Sequence, residues 1–204
     1  MARTVRWSGT SRCGGFFGLL ALSLACWGQP QISAVLNGTS YSAAISPGCW
    51  VAIFAERLAR KEARADKVPL PRSLGGVSVT VDRVRAPLFF VSPRQVNTLI
   101  PFELDVPRIR FVKVVVTSEE DNSVSAPYAV WVTPTAPGLF TLSGTGTGTD
   151  HVYDADFRQV SKIGNGDTVI LYAAGLGATD PPAMSDSGEA SQEPLNRVAT
   201  GLEV

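Results

Sequence analysis

The sequence predicts an all-β protein built of Ig-like β-sandwich modules in tandem, with an incomplete second copy. Three observations predict this fold class. About seven short apolar or alternating segments fall within roughly 100 residues, which is typical of an immunoglobulin-like sandwich. Fourteen Pro and nineteen Gly supply many turn positions between short strands. Two segments are also echoed later in the chain in the same order, which indicates tandem domains.

The echoes connect two stretches of the chain at nearly the same separation. Residues 46–58 resemble residues 164–176, and residues 69–79 resemble residues 194–204. The second copy stops at Val204 after its third or fourth strand, which would leave an edge unpaired. We therefore expect that Val204 is not a natural domain end and that the sequence is a fragment, with a truncated gene product as the alternative.

Residues 1–28 are predicted to be a signal peptide. Three arginines precede an uncharged, largely apolar stretch at residues 14–25, which is shorter than the roughly 20 residues of a membrane span. Small residues predict cleavage after Ala25 or after Gly28. A lipid anchor on Cys26 is an alternative, and an uncleaved hydrophobic anchor is another. The mature protein is expected to be secreted or to lie in the cell envelope, without a transmembrane span.

The first module is predicted over residues 29–133. Its strands are recognised as apolar runs or as apolar residues at every second position. The predicted strands are 32–36, 49–54, 77–81, 86–91, 96–102, 112–116 and 124–132. Residues 86–91 are expected to return alongside 77–81, through a tight turn at Asp82 and Arg83 that lacks the usual glycine.

Residues 54–65 are the one strong helix candidate. They are rich in Ala, Glu, Arg and Lys, which favour helix, and Glu56 with Arg60 would form a favourable i, i+4 pair. A solvated loop is the alternative. Interleaved acidic residues argue against a nucleic-acid surface at this basic cluster.

The second module is predicted to follow a short connector. Residues 134–138 contain two prolines, which restrict the backbone and predict a stiff link between domains. The truncated module then covers residues 139–204. Its strands are expected at 139–142, 168–173 and 201–204.

Composition excludes some classes of function. The 204 residues include 18 basic and 18 acidic side chains, so the chain lacks the basic surplus typical of nucleic-acid binding. A hydrophobic fraction of 45% supports a packed core. Once the leader is removed, Cys49 is the main cysteine left, so no disulfide framework is expected. We expect Cys49 to be a buried apolar residue.

Several motifs together carry a family resemblance. They are Val-Leu-Asn-Gly-Thr-Ser-Tyr-Ser at 35–42, Ile-Ser-Pro-Gly-Cys-Trp-Val-Ala-Ile-Phe at 45–54, Ala-Pro-Leu-Phe-Phe-Val-Ser-Pro-Arg-Gln-Val-Asn at 86–97, and Leu-Tyr-Ala-Ala-Gly-Leu-Gly-Ala-Thr-Asp-Pro-Pro at 171–182. With them the chain resembles the uncharacterised Solibacter-type C-terminal domain family of secreted acidobacterial proteins. The resemblance implies an exported, Ig-like (IPT/TIG-related) tandem β-module with no established activity and no assigned catalytic residues.

Candidate chemical sites are few. His151 is the only histidine, and Asp150, Asp154 and Asp156 lie near it. A hydrolase is a remote alternative, because the Gly-x-Ser-x-Gly elbow is absent. Asp154 and Asp156 are weak candidates for a calcium site, since the Gly and Glu of an EF-hand loop are missing. We expect no enzyme and no cofactor.

The expected function is a protein-interaction or structural role outside the cell, with a protein or a glycan as partner. A carbohydrate-binding accessory module is the alternative, and it requires an exposed, planar row of aromatic rings. Trp50, Tyr128 and Trp131 are the weak ligand-binding candidates. Each of them also suits the packing face of a strand.

Overall fold

The computed structural model describes residues 28–144, 146–149, 151–186 and 195–199. Over these ranges the protein is all-β, with several antiparallel sheets and no helix. No described residue belongs to a helix that is long and apolar enough to cross a membrane. The predicted signal peptide up to residue 27, the lipidation candidate Cys26 and the predicted strand 201–204 lie outside the described residues.

Two five-stranded antiparallel sheets form between residues 31 and 132. Sheet A has the strand order β1 (Gln31–Asn37), β2 (Trp50–Glu56), β7 (Gln95–Leu99), β6 (Leu88–Val91) and β3 (Ala63–Arg64). Sheet B has the order β10 (Tyr128–Val132), β8 (Arg110–Ser118), β4 (Val77–Val81) and β5 (Val84–Arg85), and β9 (Ser123–Val124) pairs with the C-terminal end of β8.

The two sheets share one apolar core, so the arrangement is sandwich-like. Sheet B buries Val77, Val79 and Val81 from alternate positions of β4, and sheet A buries Val51 and Ile53 from alternate positions of β2. Fully burying such a branched side chain contributes about 1.5–3 kcal/mol. The alternation leaves one face of each sheet available for other contacts.

The period-two segments of the sequence are confirmed as strands. The predicted strand 77–81 coincides with β4, and 112–116 falls within β8. The tight turn is confirmed as well, because Asp82 and Arg83 both have positive φ angles, of 49° and 73°. Two successive positive φ angles match the twist of a two-residue hairpin.

The predicted return of strand 86–91 alongside 77–81 is wrong. After the turn, the short strand β5 returns alongside β4, whose other neighbour is β8, whereas β6 pairs with β7 in sheet A. The ladder with β4 ends where the Ala86 amide donates to the Val79 carbonyl at 2.9 Å. Pro87 follows and has no amide hydrogen to continue the ladder, so the chain crosses to the other sheet.

The helix prediction for residues 54–65 is also wrong. Strand β2 continues to Glu56, and Arg57 then takes a positive φ of 61°. Leu58 is buried in the core, and its amide donates to the Pro93 carbonyl at 3.3 Å. Intrinsic helix preferences differ by at most about 0.7 kcal/mol per ordinary residue. Burying Leu58 contributes about 1.5–3 kcal/mol, so packing overrides the local preference.

Beyond residue 133 the described strands are two residues long. They pair as β11 (Gly138–Leu139) with β14 (Ala173–Ala174), β12 (Val152–Tyr153) with β13 (Ile170–Leu171), and β15 (Thr179–Asp180) with β16 (Arg197–Val198). The predicted connector 134–138 reaches into β11. The division into two modules and their tandem Ig-like identity stay predictions.

Candidate functional site

A recessed groove lies on the outer face of sheet A, above strands β2 and β7. In β2, Trp50 and Ala52 alternate with core-facing residues, and Asn97 of β7 is the register partner of Ala52. The groove encloses about 370 Å³. It is lined by Gly38, Tyr41, Trp50, Val51, Ala52, Phe89, Gln95, Asn97 and Phe140.

One wall of the groove is a pair of aromatic rings. The Trp50 and Phe89 rings meet edge to face, with centroids 5.8 Å apart and planes at 74°. Phe89 lies at a register shift between Leu88 and Phe90, and such irregularities re-aim a side chain. The Arg64 guanidinium carbon lies 5.1 Å from the centroid of the Phe89 ring. Phe89 is therefore held between Trp50 and a cation.

The rim is formed by two aromatic residues that are distant in sequence. Tyr41 has a positive φ of 54° and is 39% exposed. That conformation is uncommon for a bulky residue, and it is held by the Tyr41 amide, which donates to the Asn37 carbonyl at 2.8 Å. Phe140 also lines the groove. It comes from the segment after residue 133, where the Phe140 amide donates to the Tyr172 carbonyl at 2.9 Å.

A buried asparagine connects the two parts of the rim. Asn37 ends β1 and is fully buried. Its Oδ1 accepts from the Thr39 amide at 2.9 Å and from the Thr39 hydroxyl at 2.6 Å. Its Nδ2 donates to the Ala136 carbonyl at 3.0 Å. Asn37 thus ties the turn that carries Tyr41 to the segment that leads to Phe140.

The floor of the groove carries a pair of amides. Gln95 Nε2 donates to Asn97 Oδ1 at 2.6 Å. This bond uses one of two donors on Gln95 and one of two lone pairs on Asn97, so both amides keep further donors and acceptors. None of the described residues that line the groove is charged. The floor therefore offers neutral hydrogen-bonding groups beside aromatic rings.

The three aromatic candidates do not form a planar row. Trp50 lines the groove on sheet A. Tyr128 packs against the core, and its hydroxyl donates to the Ser33 carbonyl at 3.4 Å. Trp131 lies on sheet B, where it is 49% exposed and stacks on Phe111 with centroids 3.4 Å apart. The rings are thus distributed over two sheets.

His151 pairs with a tyrosine. The distance between His151 Nδ1 and the Tyr153 hydroxyl is 3.2 Å, and the two rings lie nearly parallel, at 5°. Asp150, the nearest acid in sequence, lies outside the described residues. Within the described part of the chain, the side-chain contacts of His151 are with Tyr153 and include no serine hydroxyl.

The two acidic candidates stabilise a turn. Asp154 Oδ1 accepts from the Asp156 and Arg158 amides, each at 2.9 Å. The Asp156 carboxylate pairs with the Arg158 guanidinium at 2.7 Å. In the part of the chain that the structure describes, no group of three His, Cys, Asp or Glu side chains is arranged to hold a metal ion. The geometry therefore gives these carboxylates a role within the turn.

Cys49 is buried, as expected. Burial raises the pKa of its thiol to about 11, and a backbone hydrogen bond with Ser46 offsets part of that increase. The thiol donates to the Trp50 carbonyl at 3.2 Å. A thiol with so high a pKa is a poor nucleophile at neutral pH.

A second contact fixes the later part of the chain to the loop after β7. The Ser185 amide and hydroxyl donate to the Glu103 carboxylate at 2.9 and 2.7 Å, and the Ser185 hydroxyl accepts from the Phe102 amide at 2.8 Å. Burial by itself raises the pKa of Glu103, but the hydrogen bonds from Ser185 outweigh it. The pKa of Glu103 therefore lies below its usual value.

Sequence reasoning found only Trp50 among the residues that line the groove. Asn97 carries a usable signal, because it follows Val96 in the predicted strand 96–102 and so points outward. Gln95 lies one residue before that predicted strand, and the observed strand β7 begins with it. Tyr41 and Phe140 carry no such signal, since tertiary packing alone brings them together.

Comparison with protein-family models found no match, and comparison with curated proteins and with solved structures found no significant match.

Proposed function

We propose that the chain is an exported, non-enzymatic Ig-like module that recognises an extracellular partner. The observation that supports the proposal most directly is the groove on sheet A. It is concave and aromatic, and its floor and one wall stand on paired β-strands, which is the usual character of a binding site. The described lining residues offer rings and amides for contact, and none of them is a histidine, cysteine or carboxylate residue.

The export and Ig-like parts of the proposal have separate support. Export rests on the basic and apolar leader at residues 1–28. The Ig-like identity rests on the number of short strands, on the sandwich-like pairing of two antiparallel sheets, and on the family resemblance. Fold alone does not fix a function, so recognition is argued from the groove.

Export is tested by expressing the full chain, with a C-terminal tag, in a bacterial host and fractionating the cells. We expect the protein outside the cytoplasm, with a new N-terminus at Cys26 or Gln29 by mass spectrometry. A lipid mass on Cys26 would identify the anchored form. A cytoplasmic protein that keeps Met1 would contradict export.

Recognition is tested by incubating the purified, exported protein with washed bacterial cells and with isolated envelope material. We expect saturable retention that Trp50→Ala weakens and Trp131→Ala leaves unchanged. These variants make the same change on the two different sheets. Equal retention of both variants, or the absence of saturable retention on any surface, would contradict recognition through the groove.

A further inference from the structure

We propose that the groove on sheet A binds a neutral pyranose ring of an extracellular glycan, stacked against Trp50 and hydrogen-bonded by Gln95 and Asn97. This inference rests on the proposed function, because it names the ligand class of the same groove. It concerns one sugar ring in a groove lined by Trp50 and Phe89, and so does not need the planar row of exposed rings expected of an accessory module, which the aromatic candidates do not form. It is carried by the kinds of side chain that meet there and by their spacing.

The aromatic wall suits the apolar face of a sugar. A pyranose ring presents axial C–H groups on its face, and these pack against the negative face of an aromatic ring. The edge-to-face contact between Trp50 and Phe89, at 5.8 Å, leaves the two rings at a steep angle to each other. Such a corner accommodates one ring face and one ring edge at the same time.

The amide floor suits the hydroxyls of a sugar. Each hydroxyl is one donor and a double acceptor, and each side-chain amide offers both donors and acceptors. Gln95 and Asn97 are already joined at 2.6 Å, so their orientations are fixed before a ligand arrives. A pair of vicinal hydroxyls is the simplest ligand group that uses both amides together.

The charge and size of the groove favour a neutral ligand of one or two rings. None of the described lining residues is charged, and the nearby Arg64 guanidinium lies over the Phe89 and Phe90 rings at 5.1 and 5.7 Å. The groove encloses about 370 Å³, near the small end of the roughly 300–1,000 Å³ of ligand pockets. A uronate or a phosphorylated sugar finds no paired cation on this floor.

The strand pairing argues against an extended peptide as the occupant. Strand β2 is bonded to β1 and β7, and β7 is bonded to β2 and β6, so the floor has no free edge for an added strand. A proline-rich peptide also docks on aromatic grooves, but it presents mainly carbonyl acceptors. Such a peptide would leave the side-chain carbonyl oxygens of Gln95 and Asn97 without a donor. A sugar hydroxyl both donates and accepts, so it can pair with either part of each amide.

The test is isothermal titration calorimetry of the exported full chain with cello-, malto-, manno-, xylo- and galacto-oligosaccharides, and with oligogalacturonate as the charged comparison. At least one neutral oligosaccharide should bind. Trp50→Ala should weaken it roughly 30-fold, as for an aromatic hot-spot residue, and Asn97→Ala roughly five- to tenfold. The matched variant Trp131→Ala should stay within about twofold. Raising the salt concentration should leave the affinity nearly unchanged, because no ion pair is involved.

The variants and probes separate the sources of failure. If a neutral sugar binds but Trp131→Ala weakens it as much as Trp50→Ala, the assignment to this groove is wrong. If no neutral sugar binds while the protein is still retained on cells, or if a proline-rich peptide binds in the groove instead, the glycan inference fails and the recognition proposal stands. If nothing is retained on any surface, the recognition proposal itself fails. Asn97→Ala provides a folded variant should Trp50→Ala not fold.

Discussion

Replacing Asn37 with alanine is expected to lower the free energy of unfolding by about 3 kcal/mol. Asn37 is fully buried at the end of β1, and its side chain makes three hydrogen bonds of 3.0 Å or less, two with Thr39 and one with the Ala136 carbonyl. A typical intramolecular hydrogen bond contributes a net of about 1 kcal/mol. Three such bonds give the expected loss.

The loss should be graded along the same cluster. Thr39→Val removes the 2.6 Å bond from the Thr39 hydroxyl and keeps the amide bond, so it should cost about 1 kcal/mol. Asn97→Ala is the matched control, because it makes the same change at a half-buried position with one side-chain hydrogen bond. It should cost less than about 1 kcal/mol.

Urea unfolding followed by tryptophan fluorescence measures all three variants. If Asn37→Ala costs no more than Asn97→Ala, then Asn37 does not anchor the segment that leads to Phe140. In that case the account of how the rim of the groove is held would be refuted.

Three further predictions concern the core, the thiol and one carboxylate. Ile53→Ala should cost about 2–5 kcal/mol in urea unfolding, whereas Ile109→Ala, at a residue 60% exposed, should cost less than about 0.5 kcal/mol. The buried Cys49 should react with a thiol reagent at pH 8 only after unfolding, because burial raises its pKa to about 11. Ser185→Ala should raise the pKa of Glu103 in an NMR titration. Because the pKa of Glu103 is lowered in the folded protein, its contact with Ser185 stabilises the fold at pH values above the ordinary pKa of 4.5. That stabilisation is lost as the pH falls through the lowered pKa.

Each of these three predictions can be contradicted by a specific result. Equal losses for Ile53→Ala and Ile109→Ala would contradict the burial of Ile53 in the core. Rapid labelling of Cys49 in the folded protein would mean that the core near β2 opens readily. A Glu103 pKa that Ser185→Ala leaves unchanged would show that the serine hydroxyl does not hold the carboxylate.

The strands of sheet B could be predicted because apolar residues occupy every second position in them. Val77, Val79 and Val81 alternate with more polar residues, and the structure buries all three valines. The turn after them also followed from local chemistry, since Asp tolerates a positive φ better than most residues. Local information was sufficient where neighbouring strands are joined by a short turn.

The segment at residues 54–65 shows where local information fails. Its composition favours helix, yet the Ala55 and Leu58 amides donate to carbonyls in the turn before β7, at 3.1 and 3.3 Å. Those partners, Arg94 and Pro93, are 39 and 35 residues away in sequence. No window of this segment contains the information that decides its conformation.

For the three aromatic candidates, too, local sequence is informative for two of them and uninformative for the third. Tyr128 and Trp131 are an odd number of residues apart in one strand, so they point to opposite faces, and the sequence alone could have excluded them as a coplanar pair. The role of Trp50 could not be predicted from the sequence, because the residues that line the groove with it come from other segments of the chain. Tyr41 and Phe140 reach it through contacts between distant segments, among them the bond from Asn37 to the Ala136 carbonyl.

The most direct test of the groove as the recognition site is chemical-shift mapping by NMR. The ¹⁵N-labelled protein is titrated with the oligosaccharide that binds in calorimetry. The account predicts that the largest shifts fall on the Trp50 indole N–H and on the side-chain amides of Gln95 and Asn97. Shifts that cluster around Phe111 and Trp131 on sheet B, with the groove unchanged, would contradict it.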